Sequence, residues 1–132
     1  MKVYSRRNPL NNYGKELILD MQNCDPTTFT RKHIRNYFKR LCSLIDMERA
    51  DLHWWDDLNT PEKEKETEPH LKGTTAIQFI KTSNITIHTL DLLKSVYLNI
   101  FSCKDFDPAV VKKFTEEWFK GKIVNNHVIE RK

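Results

Sequence analysis

Ser83, His88 and Cys103 are the residues whose types together suggest covalent chemistry in this chain. Ser83 lies at a strand-to-strand junction, in Lys81-Thr82-Ser83-Asn84-Ile85-Thr86-Ile87-His88-Thr89, and Cys103 closes the next apolar run. A hydroxyl, an imidazole and a thiol are thereby brought onto neighbouring strands. A serine hydroxyl is a poor nucleophile unless its geometry is fixed and a neighbouring group takes its proton, and strain at a tight junction can supply the geometry. Taken singly, each residue has a blander use: a serine caps a turn, a strand histidine is half-buried structure, and a buried cysteine is a small hydrophobe. Only the combination points to a reaction.

The elements that must position these residues are readable from periodicity. Lys15 to Gln22 alternates weakly and reads as a first strand. Asp25 acts as N-cap with Pro26 at the first helical position, opening a long amphipathic helix to about Asp46 that carries Ile34, Tyr37, Phe38, Leu41, Leu44 and Ile45 at helical spacing. Ala50 to Trp55 is a second strand, and the charged connector from Asn59 to Lys72 is expected to be mobile. Thr74 to Thr82 and Asn84 to Thr89 are strand-like runs flanking Ser83, with Ile85 and Ile87 on one face and Thr86 and His88 on the other. Ser95 to Cys103 sets Val96, Leu98 and Ile100 against Tyr97, Asn99, Phe101 and Cys103. Asp107-Pro108 starts a second helix buried through Val111, Phe114 and Trp118 and stopped by Gly121, and Ile123 to Ile129 can form a last strand. Trp54 and Trp55 are assigned to the core. This order suggests two β-α-β halves and an α+β two-layer sandwich, with helices on one face of a largely antiparallel sheet.

Composition bounds the class. The 132 residues fit one domain, 1–132, with a polar N-terminal extension at 1–13 and the connector at 59–72. A 39% hydrophobic fraction with seven Phe, four Tyr and three Trp argues for a folded globule. The segment Met1 to Gly14 has no apolar stretch and nothing approaches a spanning helix, so cytoplasm and no membrane partner are expected. Cys24, Cys42 and Cys103 lack metal-ligand spacing and are odd in number, which indicates thiols with no disulfide framework and no metal. The formal charge of +4 and the basic face of the first helix fit a solvated surface better than nucleic-acid binding.

From about Gly14 to Phe119, and most strongly from Gly73 through Asp107, the chain resembles the short prokaryotic S-adenosylmethionine decarboxylases. The resemblance rests on Ser83, on the Ile-His-Thr word at Ile87-His88-Thr89 and on the Phe-Ser-Cys word at Phe101-Ser102-Cys103. It implies self-cleavage between Thr82 and Ser83, leaving a pyruvoyl group at position 83. That carbonyl would serve where PLP serves elsewhere, forming a Schiff base with the substrate amine and accepting electrons as carbon dioxide leaves, with no separate cofactor and no metal. The implied roles are base for His88, an assisting hydroxyl for Thr75, and reprotonation of the carbanion for Cys103. Glu16 resembles an acidic residue near the active site of longer relatives. The implied substrate is a small molecule, S-adenosylmethionine, its product feeding spermidine synthesis, and the implied assembly is a homodimer or higher oligomer. Trp54 or Trp55 offers an adenine-stacking surface and Asp91 a partner for a ribose hydroxyl.

The family usually has glutamate before the cleaved serine and histidine after it, where this chain has Thr82 and Asn84. After the histidine-threonine pair, Leu90, Asp91 and Leu92 stand where an aromatic residue, a proline and a glutamate are usual. Two rivals follow: the same chemistry on arginine or ornithine, and a non-processing homologue that binds a ligand or partner.

Overall fold

The computed structural model describes residues 12–132, and the N-terminal extension lies almost wholly outside them. Its strands are β1 (Gly14–Gln22), β2 (Arg49–Trp55), β3 (Gly73–Ile80), β4 (Ser83–Leu90), β5 (Ser95–Ser102) and β6 (Lys122–Arg131). Helix α1 (Arg31–Leu44) follows β1, and α2 (Pro108–Phe119) follows β5. The strands form one sheet in the order β2-β3-β4-β5-β1-β6, every neighbouring pair antiparallel. The two-layer α+β sandwich expected from the sequence is the architecture found.

Alternation writes the core onto one face of this sheet. Register aligns Leu17 with Ile100, and Ile100 with Ile85; in the next row Leu19, Leu98, Ile87 and Ala76 align, all of them 2% exposed or less. The helices lay Ile34, Phe38, Leu41, Val111 and Phe119 over these rows. Tyr37 joins the two helices, stacking on Phe114 and sharing a 2.8 Å hydrogen bond with the Thr115 hydroxyl. A buried phenol with its hydroxyl satisfied is compatible with a dry core. At the irregular β2–β3 register, buried Gln78 donates through Nε2 to the carbonyls of Ala50 and Asp51, groups the disrupted ladder would otherwise leave unpaired.

Three local expectations are corrected. Asp25 caps only a 3-10 turn, Pro26–Phe29, and α1 begins afresh at Thr30, whose hydroxyl accepts from His33 N–H. Thr30 is extended, at φ −72° and ψ 156°, so the first helical segment cannot run through it. The left-handed stop of α2 is Lys120, at φ 54°, not Gly121. Gly121 is needed for space, since a Cβ there would collide with Cys24 Sγ. Trp54 packs against the core, whereas Trp55 points away from it and is 53% exposed. The connector between β2 and β3 carries a short 3-10 turn, Glu62–Glu64, and is tied to Asp57 by the Glu66 N–H.

The second face of the sheet has no helix over it among the described residues. It presents Trp55, Phe79, Tyr97 and Ile129, each at least 38% exposed.

Candidate active site

Ser83 is the first residue of β4 and pairs with Ile80, so Lys81 and Thr82 alone make the turn between β3 and β4. Thr82 sits in the left-handed region at φ 54°. For a β-branched residue this is a strained conformation, costing on the order of 1–2 kcal/mol. The strain lies at the residue whose carbonyl precedes Ser83.

Cys103 immediately follows β5 and closes over this turn. Its backbone N–H donates to Ser83 Oγ at 3.1 Å, and the Ser83 hydroxyl lies 3.7 Å from Cys103 Sγ. Thr82 Oγ1 lies 3.2 Å from the same sulfur and 2.7 Å from the Lys81 carbonyl, so its one proton can serve either acceptor. Partial burial acts to raise the thiol's pKa, but hydrogen bonds from Thr82, Ser83, Tyr13 and its own backbone outweigh it, and the net direction is down. Tyr13 reaches the site because its ring stacks on Phe101. Beside Ser83 and Cys103 lies a cavity of about 20 Å³, bordered by Met47, Ile80 and Ser102. That volume admits a water-sized group and no substrate.

His88 and Thr75 form a separate pair. Their side chains bond at 2.9 Å on the uncovered face, where register aligns Trp55, Thr75 and His88 across β2, β3 and β4. Desolvation draws the imidazole's pKa below its usual value, favouring the neutral ring. An open cleft of about 390 Å³ joins Trp55, Glu66, His70, Thr75 and His88.

The expected triad is therefore divided. Ser83 shares the core face with Ile85 and Ile87, and His88, an odd five residues on, faces the other way. Five strand residues also span roughly 17 Å, far beyond hydrogen-bond reach. Within one chain, Cys103 meets Ser83 and His88 does not.

Asp91 belongs to neither cluster. It lines a cleft of about 640 Å³ with Arg31, Asp56 and Lys72, and desolvation raises its pKa against the opposing pull of Lys72. Glu16 is on the uncovered face, accepting from Asn99 Nδ2 at 2.6 Å and pairing with Arg131. Trp54 is covered by Arg31 and Arg35, which stack over its ring, so Trp55 is the tryptophan left free to stack on a ligand. Three residues at the Ser83 end had no signal of their own in the sequence: Tyr13, the Thr82 hydroxyl and Lys104, whose ammonium is buried against Asp46.

A family model described as S-adenosylmethionine decarboxylase matches residues 15–132. Among solved structures, the chain is similar to the adenosylmethionine decarboxylase of Aquifex aeolicus, with a TM-score of 0.69 and 17% identity over 91% of each chain. Comparison with curated proteins gives no significant match.

Proposed function

The chain belongs to the S-adenosylmethionine decarboxylase family, and on that premise we propose that it is a self-processing pyruvoyl-dependent decarboxylase acting on S-adenosylmethionine. The observation that carries this reading is Ser83 Oγ, held by the Cys103 N–H directly after a left-handed Thr82. Ser83 Oγ attacks the Thr82 carbonyl carbon, its proton passes to the Ser83 nitrogen, and the peptide C–N bond breaks to leave an ester. Loss of the Ser83 α-proton expels the Thr82 carboxylate, which keeps the serine oxygen. Water then displaces the Ser83 nitrogen as ammonia and leaves the ketone. The chain ends as 1–82 and 83–132.

The pyruvoyl group supplies the electron sink for decarboxylation. Cys103, next to that position and with a thiol titrating lower than usual, delivers a proton to the substrate carbon. Trp55 offers an aromatic face to the adenine.

His88 and Thr75 enter this reaction only if a second copy presents them. The uncovered face exposes Trp55, Phe79, Tyr97 and Ile129, and a two-fold pairing of such faces would bring the His88 end of one sheet over the β3–β4 turn of the other, where the Thr82–Ser83 peptide lies at the end of the sheet. The proposed assembly is accordingly a homodimer or larger, with its substrate cleft walled by both copies. The non-processing rival draws on the same separation of Ser83 from His88.

Intact mass under denaturing conditions decides between them. The expected result is two fragments summing to the chain plus water minus ammonia, and one unbroken chain for Ser83→Ala. Mixing Ser83→Ala with His88→Ala chains should restore cleavage of the latter. A wild-type chain that stays whole on prolonged incubation sinks the proposal.

A further inference from the structure

Lys104 is 8% exposed, and its ammonium is turned inward at the Ser83 end of the sheet. It donates to the Asp46 carboxylate at 2.6 Å and to the Asp46 carbonyl at 2.5 Å. Asp46, at φ 56°, closes the C-terminal end of α1. On the strand side, Ser102 Oγ donates to the Lys104 carbonyl at 2.8 Å and accepts from the Lys104 N–H at 3.0 Å. The turn 102–104 is thus pinned at both ends, with Cys103 at its apex. The N–H that holds Ser83 Oγ belongs to that apex.

Burying an ammonium is costly unless its pairing is good. Here the cost falls at one place, the link between the helix layer and the turn that touches the serine. We infer that Lys104 is a positioning residue for the cleavage step: by locking the turn to Asp46 it aims the Cys103 N–H at Ser83 Oγ and holds that oxygen on the Thr82 carbonyl carbon. Lys104 touches no reacting atom. The inference rests on the self-processing reading, and it goes beyond it by tying the rate of cleavage to an ion pair between the buried Lys104 ammonium and the exposed Asp46 carboxylate.

The experiment follows the fraction of full-length chain by intact mass after synthesis, for wild type, Lys104→Met and Asp46→Asn. Thr115→Val, which removes the buried hydroxyl bonded to Tyr37, serves as a control for stability loss in the helix layer. Displacing a reacting group by about 1 Å costs on the order of a hundredfold, so Lys104→Met should cleave at least about tenfold more slowly than wild type. Asp46→Asn, which keeps the backbone acceptor, should fall between them, and Thr115→Val should cleave at the wild-type rate even when its unfolding temperature drops as far. If wild type cleaves and both Lys104→Met and Asp46→Asn keep pace with it, the inference is wrong and the self-processing reading stands. If the slowing in each variant merely tracks its loss of stability, Thr115→Val included, Lys104 is structural and not positioning. A wild-type chain that never cleaves removes both.

Discussion

Thr82 stores strain beside the bond proposed to break, and that strain can be measured twice. In Thr82→Ala the hydroxyl is lost but a Cβ still occupies the left-handed conformation at φ 54°; in Thr82→Gly the Cβ is lost too. Comparing Gly with Ala therefore isolates the backbone term. A left-handed non-glycine residue costs on the order of 1–2 kcal/mol, of which glycine's greater unfolded-state freedom takes back part, leaving a net gain of about 1 kcal/mol. In a Ser83→Ala background, where nothing cleaves, the Gly chain should unfold roughly 3–6 °C higher than the Ala chain. With Ser83 present the order reverses: strain released as the peptide opens no longer speeds the reaction, and a loss of about 1 kcal/mol slows cleavage roughly fivefold. Calorimetry gives the first quantity and intact mass against time gives the second. Equal cleavage rates for Thr82→Gly and Thr82→Ala, alongside the expected gain in stability, would show that the strain survives into the transition state and does not drive the step.

Cys103→Ala should still cleave between Thr82 and Ser83, yet lose turnover by a factor on the order of 10²–10⁴, as for a missing general acid, with more of the pyruvoyl group consumed as an inactive amine; full turnover in this variant would remove Cys103 from the chemistry. Alkylation near neutral pH should modify Cys103 well before Cys24, because burial pushes the Cys24 thiol up to about 11 while the Cys103 thiol is shifted down. Peptide mapping that finds Cys24 labelled first contradicts this. Asp56 is held below its ordinary pKa of 3.8 chiefly by the Arg31 guanidinium, so its contribution to stability is present above that value and lost as pH falls beneath it. Asp56→Asn should be about 1 kcal/mol less stable than wild type at pH 7, since the pair is partly solvated, and the difference should vanish in acid; a pH-independent difference would assign the effect to packing. Sedimentation at micromolar concentration should give a particle larger than one 15.8 kDa chain.

Much of the fold was legible because the strands carry unambiguous parity. Val96, Leu98 and Ile100 against Tyr97, Asn99 and Phe101 marks β5 and its buried face, and Asp107-Pro108 marks the start of α2. The misreadings arose where two local signals compete or a distant contact decides. Asp25 and Thr30 are both good caps, and Phe29, buried against Phe119, ties the segment between them to α2 instead of to a continuous helix. Gly121 looked like a helix stop, but its requirement comes from Cys24, far away in sequence. At the site, the interval from Ser83 to His88 already implied opposite faces, since an odd step along a strand reverses the side chain. Lys104 gave no such hint, because the Asp46 that pairs with it lies far off in sequence, just past the end of α1.

The sheet order would give the proposed cleavage at Ser83 an unusual result. The upstream piece holds β1, β2 and β3 and the downstream piece β4, β5 and β6, yet β1 lies between β5 and β6. The two pieces are interleaved, and neither can leave without tearing a strand from between two ladders. A nicked molecule will therefore migrate as one body under native conditions and come apart only in denaturant. Once apart, the pieces must find each other from solution, so reassembly becomes a concentration-dependent encounter where the intact chain had only to fold upon itself.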